Sequence, residues 1–171
     1  MIRFPNPGSD IDSFLAIFKQ IFTHLDGTEN FNLDQISEVL VKKNLASSSG
    51  FIGQKALELS TREDRSRDPL FNQSKMYAEL YRHLGWINTS DKKLEFFFTE
   101  LGEYACLTNA HNAKTFLKEC LIGISYPNVN ISVKSENIIR PFPTILKTMH
   151  KLDNCISRDE IILGPLSLKN D

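Results

Sequence analysis

The 171-residue chain is short of several things, and each shortage removes a class of explanation. Its three cysteines, Cys106, Cys120 and Cys155, are odd in number and widely spaced, with no CxxC and no paired histidines, so neither a disulfide framework nor a zinc site is indicated. Buried free thiols in a reducing compartment are the default. Neither sign of charge is in excess: 20 Lys plus Arg against 21 Asp plus Glu leave a net charge of −1. That balance gives no general argument for nucleic acid, so such a role must rest on local charge and motif. No apolar run approaches the roughly 20 residues that span a bilayer, and the opening MIRFPNPGSD has no apolar stretch with a cleavage site. The expectation is a soluble, cytoplasmic protein with no membrane partner.

Catalytic motifs are equally sparse. GxSxG and HExxH do not occur, and the four histidines fall in separate elements. The stretch SSSG-FIGQK invites comparison with a phosphate loop, but Gly50 and Gly53 are three apart and Ala56 stands where Ser or Thr is required, which excludes that frame.

What remains is 41% apolar and 24% charged, a globular composition rich in helical periodicity. Ile11, Phe14, Leu15, Phe18, Ile21, Phe22 and Leu25 recur at three- and four-residue steps and predict a helix capped by Ser9 or Asp10. A second helix is predicted after Asn32, with Leu33, Ile36, Val39 and Leu40 inward and Lys42-Lys43 in its last turn. The segment SGFIGQKALELS predicts a short helix with Phe51, Ile52, Ala56 and Leu57 inward.

The run from Leu59 to Leu107 organises the rest. Arg62, Arg65 and Arg67 alternate with acids ahead of Asp68-Pro69, a good N-cap followed by a residue pre-organised for the first helical position. In isolation such a run is a solvated loop; beside a helix N-terminus, backbone N–H groups already favour phosphate oxygens. From Pro69 to Leu84 the predicted buried face is Leu70, Gln73 or Ser74, Tyr77, Leu80, Tyr81 and Leu84, with Asn72, Lys75, Glu79 and Arg82 opposite. Asn and Gln can read adenine and Arg or Lys guanine, so Arg67, Asn72, Gln73 and Lys75 are candidate base readers, although an ordinary solvated face looks much the same. Gly85-Trp86-Ile87, a turn carrying Lys92 and Lys93, the strand Leu94–Thr99 and a helix capped by Thr99 complete the profile of a winged helix, with both lysines placed to meet phosphate.

The fold class expected is thus mainly α with a small β-hairpin: a winged helix-turn-helix over residues 1–125, a linker over 126–137, and the start of a second helical, winged-helix-like unit over 138–171. In that last part Ile145, Met149 and Leu152 form an apolar stripe, and Ser157 to Glu160 makes an S-x-x-E capping box.

The segments LSTREDRSRDPLFNQSKMYAELYRHLGWI, KLEFFFTELGEYA, AKTFLKECLIGISYPN and IIRPFPTILKTMHKLDNCISRDEI together resemble the N-terminal DNA-recognition region of type IIS restriction and nicking endonucleases of the AlwI, MlyI and BstNBI kind. That family has an arginine segment before its reading helix, a Thr-x-x-Gly turn after the wing and a Pro-hydrophobic start to the next unit. The resemblance implies double-stranded DNA as partner, a monomer on an asymmetric site, and DNA contacts at Arg62, Arg65 and Arg67, with Arg65 or Arg67 as base reader. Such enzymes cut with a PD-(D/E)xK centre holding Mg²⁺. Here the nearest approach, Pro127 to Lys134, has Asn128 and Ser132 where acids are needed, so no catalytic or metal-binding residue is assigned and Mg²⁺ is expected only for a nuclease domain or subunit supplied elsewhere. A winged-helix transcriptional regulator and a winged helix used for protein–protein interaction are the alternatives.

Overall fold

An apolar stripe on a helix needs a core to cover it, and the first helix sets that core. In the computed structural model, which describes residues 11–48, 50–60, 68–91, 94–128, 130 and 138–169, α1 spans Ile11–Leu25 and buries Phe14, Leu15, Ile17, Phe18, Ile21 and Leu25. A two-residue strand, β1 (Phe31–Asn32), leads into α2 (Leu33–Lys42). Asn32 accepts from the Gln35 N–H at 3.0 Å while the Gln35 side chain accepts from the Asn32 N–H at 3.0 Å, a reciprocal cap that satisfies two otherwise orphaned donors.

The next segment departs from the expectation. Ser47–Ser48 (β2) and Phe51–Ile52 (β3) pair as an antiparallel hairpin, and only Gly53–Glu58 is helical (α3). Phe51 and Ile52 are 40% and 60% exposed instead of buried. β-branched and aromatic residues beside a glycine turn favour the strand, and the left-handed Gly50 (φ 81°) and Gly53 (φ 60°) break any helix through them.

Helix α4 (Pro69–His83), strands β4 (Ile87–Thr89) and β5 (Glu95–Phe98), and α5 (Glu100–Leu107) follow as the pattern indicates. β4 and β5 are antiparallel with Ile87 opposite Phe98 and Thr89 opposite Phe96. β1 adds to the far edge of β5, with Phe31 opposite Phe96, giving a three-stranded antiparallel sheet in the order β1-β5-β4. Phe14, Phe18, Tyr81 and Trp86 pack as one aromatic cluster between α1, α4 and the start of β4, with ring centroids 4.8–5.7 Å apart. Burial of Tyr81 holds its phenol pKa well above the ordinary value, and its hydroxyl donates to the Phe14 carbonyl at 3.2 Å.

Helix α6 (Ala110–Gly123) comes next, and the chain divides into two compact units, one running to Lys114 and the other from Thr115 onward. In the second unit Tyr126 and Ile139 exchange backbone hydrogen bonds of 2.8 and 3.0 Å, so both ends of the Ser/Asn/Pro-rich stretch are tied to each other. Helix α7 (Pro141–Lys151) and helix α8 (Arg158–Leu163) follow, then a 3-10 turn at Pro165–Ser167. Ser157 and Glu160 form the expected capping box. The stripe on α7 is covered only in part: Ile145 and Met149 are half-buried, and Leu152 is exposed. No described helix is long and apolar enough to cross a membrane.

Candidate nucleic-acid interface

The surface of interest is built on the first turns of α4. Asp68, itself buried, accepts from the N–H groups of Leu70 at 2.9 Å and Phe71 at 3.2 Å and from the Ser60 hydroxyl. Pro69 then fills a position whose N–H has no helical partner to lose. The cap therefore fixes where the helix begins, and with it the height of every side chain on its outer face. Asp68→Ala should lower stability by about 1–2 kcal/mol in urea titration, since a buried carboxylate cap with two backbone donors lies at the upper end for such residues. Asp68→Asn should recover most of that loss, and equal stability of all three proteins would mean that the helix start is held by something else.

The inner face of α4 is fixed by packing and by one polar tie. Ser74, not Gln73, is the buried member of the pair left open by periodicity. Its hydroxyl lies 2.7 Å from that of Ser37, which donates to the Leu33 carbonyl at 2.9 Å, so the proton between the two serines comes from Ser74. His83, also buried, hydrogen-bonds through Nδ1 to the Glu79 carbonyl at 2.7 Å, and desolvation lowers its pKa, which favours the neutral ring.

Of the candidate DNA contacts, Lys75 is exposed, and Asn72 and Gln73 are half-buried. Asn72, Lys75, Met76 and Glu79 recur at three- and four-residue steps and make one outward stripe. Gln73 is set apart from it: its side-chain oxygen accepts from the Ser47 N–H at 3.1 Å. Bidentate reading of adenine uses both the oxygen and the nitrogen of an amide, so this tie to β2 competes with the base-reading role. Arg62, Arg65, Arg67, Lys92 and Lys93 lie outside the described residues.

Beside the helix, Thr99 closes the β4–β5 hairpin at its base. Its N–H donates to the Trp86 carbonyl at 3.1 Å, its hydroxyl donates to the Gly85 carbonyl at 2.6 Å, and the same oxygen caps α5 by accepting from Gly102 at 3.1 Å.

Two surfaces carry no motif in the sequence. One is the β2–β3 hairpin, which brings exposed Phe51, Ile52 and Lys55 close in the chain to exposed Lys42 and Lys43. The other is an open groove of about 780 Å³ whose lining includes Asp26, Glu29, Asp91 and Glu103 and no Lys or Arg among the described residues. Those acids come from three separate parts of the chain, and only the folded sheet assembles them. Among the described residues no three His, Cys, Asp or Glu side chains converge as a bound metal ion would require. No family model, no curated protein and no solved structure matches the chain.

Proposed function

We propose that the first unit is a winged helix that binds double-stranded DNA, as the specificity part of a type II restriction endonuclease whose cutting centre lies outside these residues. The observation that carries the reading is topological: α1, β1, α2, α4, β4 and β5 occur in that order, with the β2–β3 hairpin and α3 inserted between α2 and α4, and the sheet runs β1-β5-β4. In that arrangement α4 would enter the major groove, and the β4–β5 turn with Lys92 and Lys93 would lie beside it on phosphate. Asn72 and Lys75 occupy the outward stripe of α4, where base edges would be met. The endonuclease step rests on the resemblance of the arginine segment, the Thr99-to-Gly102 turn and the Pro141 helix to the AlwI, MlyI and BstNBI kind. On that reading the protein acts as a monomer on an asymmetric site.

The acidic groove favours a second reading, a winged helix that binds a protein, because four carboxylates repel phosphate and suit a basic partner. Fluorescence anisotropy on a labelled duplex separates the two. DNA binding should fall steeply with salt, and the Arg65→Ala plus Arg67→Ala double change should weaken it roughly tenfold to a hundredfold, the loss of two charge-assisted contacts. Unchanged affinity in the double variant would move the contact away from the arginine segment. No binding by the unaltered chain even at low salt would leave the protein-binding reading.

A further inference from the structure

We propose that the Ser47–Ile52 hairpin is a second DNA-contacting element beside α4, in which Lys55 meets a backbone phosphate and exposed Phe51 and Ile52 lie against the wall of the groove. This rests on the DNA-binding reading above and adds a surface to it.

The hairpin projects from a firm base. Asn44 is left-handed (φ 55°), and the Gly53 N–H donates to the Ala46 carbonyl at 3.0 Å. Gly53 is itself left-handed (φ 60°), a conformation that favours glycine over residues with a Cβ. Ala46 and Ala56 beneath are fully buried. Gln73 then fastens β2 to the first turns of α4 through the Ser47 N–H, which makes Gln73 a positioning residue for the hairpin. Whatever α4 approaches, the hairpin approaches with it.

The hairpin presents apolar surface and positive charge together. Apolar residues exposed on a rigid projection mark a contact surface, and both residues of β3 are exposed. Lys55 Nζ sits 4.1 Å from the centroid of the Phe51 ring, so the aromatic face holds the cation in place. Exposed Lys42 and Lys43 end α2 just ahead of the hairpin. Asp26, Glu29, Asp91 and Glu103 gather in the groove along the sheet, while Glu58 ends α3 and Glu79 stands on the α4 stripe. Exposed Lys42, Lys43 and Lys55 suit an anionic occupant, and on the reading proposed above that occupant is duplex DNA.

The test uses the full chain and a labelled mixed-sequence duplex, with anisotropy read across a salt series. Lys55→Ala should flatten the slope of log K against log salt by about 0.9, the release of one phosphate's counterion, and Lys55→Arg should restore it. Phe51→Ala should weaken binding about fivefold at unchanged slope, the effect of no longer covering part of one phenyl ring. Both side chains are exposed, so thermal midpoints should match that of the unaltered chain. If Lys55→Ala keeps the full slope, the proposal is overturned. If Phe51→Ala leaves DNA affinity alone and instead changes self-association in sedimentation, the hairpin is a contact between copies and the proposal is again overturned. If the unaltered chain binds no duplex, the DNA-binding reading fails as well. If the chain binds and only the Arg65 and Arg67 changes matter, that reading stands and the hairpin falls.

Discussion

Trp86→Ala should lower the stability of the first unit by about 3–5 kcal/mol, the range for removing a large aromatic from a packed core. Trp86 is fully buried between the end of α4 and the start of β4. Its ring stacks on Tyr81 at 5.7 Å and contacts Phe18 at 4.9 Å and Phe14 at 5.4 Å. Its backbone is a junction as well: the N–H donates to the Tyr81 carbonyl at 2.9 Å, and the carbonyl accepts from Thr99 at 3.1 Å. Alanine keeps those backbone bonds but leaves a cavity that three rings on two helices cannot close without moving. Domains of this size are stable by roughly 5–15 kcal/mol, so the change removes a large share of the total. Urea unfolding followed by far-ultraviolet circular dichroism measures it. Trp86→Phe should lose less than half as much, because the phenyl ring retains most of the contacts. A loss under about 1 kcal/mol for the alanine variant would mean that the aromatic cluster is not what joins α1 to α4 and the β4–β5 hairpin. Since Trp86 is the sole tryptophan, its emission in the unaltered protein reports on this junction alone.

What could be read from the sequence divides along a physical line. The start of α4 was legible because Asp68 and Pro69 act on their own neighbours, and Thr99 was legible for the same reason. The β4–β5 hairpin was legible because its turn is local. β1 was not: a two-residue strand has little propensity of its own and exists because Phe31 meets Phe96 from a distant part of the chain. The β2–β3 hairpin is not legible, because Phe51 and Ile52 continue the apolar spacing of Ala56 and Leu57 in α3, while the left-handed demand at Gly50 and Gly53 leaves no periodic trace. The candidate site shows the same division. That Asn72 and Lys75 share an outward stripe follows from helical spacing alone. That Gln73 is engaged with Ser47, and that Asp26, Glu29, Asp91 and Glu103 gather in one groove, depends on tertiary contacts which no local pattern encodes.

Gly102→Ala should destabilise the first unit by about 3 kcal/mol, at the upper end for overpacking, although the substitution improves helix propensity by about 1 kcal/mol. The residue is buried in the first turn of α5, against the chain at Trp86. A Cβ there would lie 2.2 Å from the Trp86 carbonyl oxygen and 3.1 Å from its carbon, with the tip of the Phe18 ring at 3.3 Å. The ring could yield by a few tenths of an ångström; the carbonyl cannot, because it already accepts from the Thr99 N–H at 3.1 Å. Relief requires α5 to lift away, and that would strain the bond from the Gly102 N–H to the Thr99 hydroxyl which caps the helix. The Thr99-Glu100-Leu101-Gly102 turn thus has a structural reason that involves no ligand: threonine caps α5 and ties the base of the β4–β5 hairpin, and glycine lets the helix touch the chain at Trp86. Chemical denaturation gives the size of the effect. If Gly102→Ala matched or exceeded the stability of the unaltered chain, the close approach of α5 to Trp86 would be refuted, and the helix-propensity gain would be all that remained.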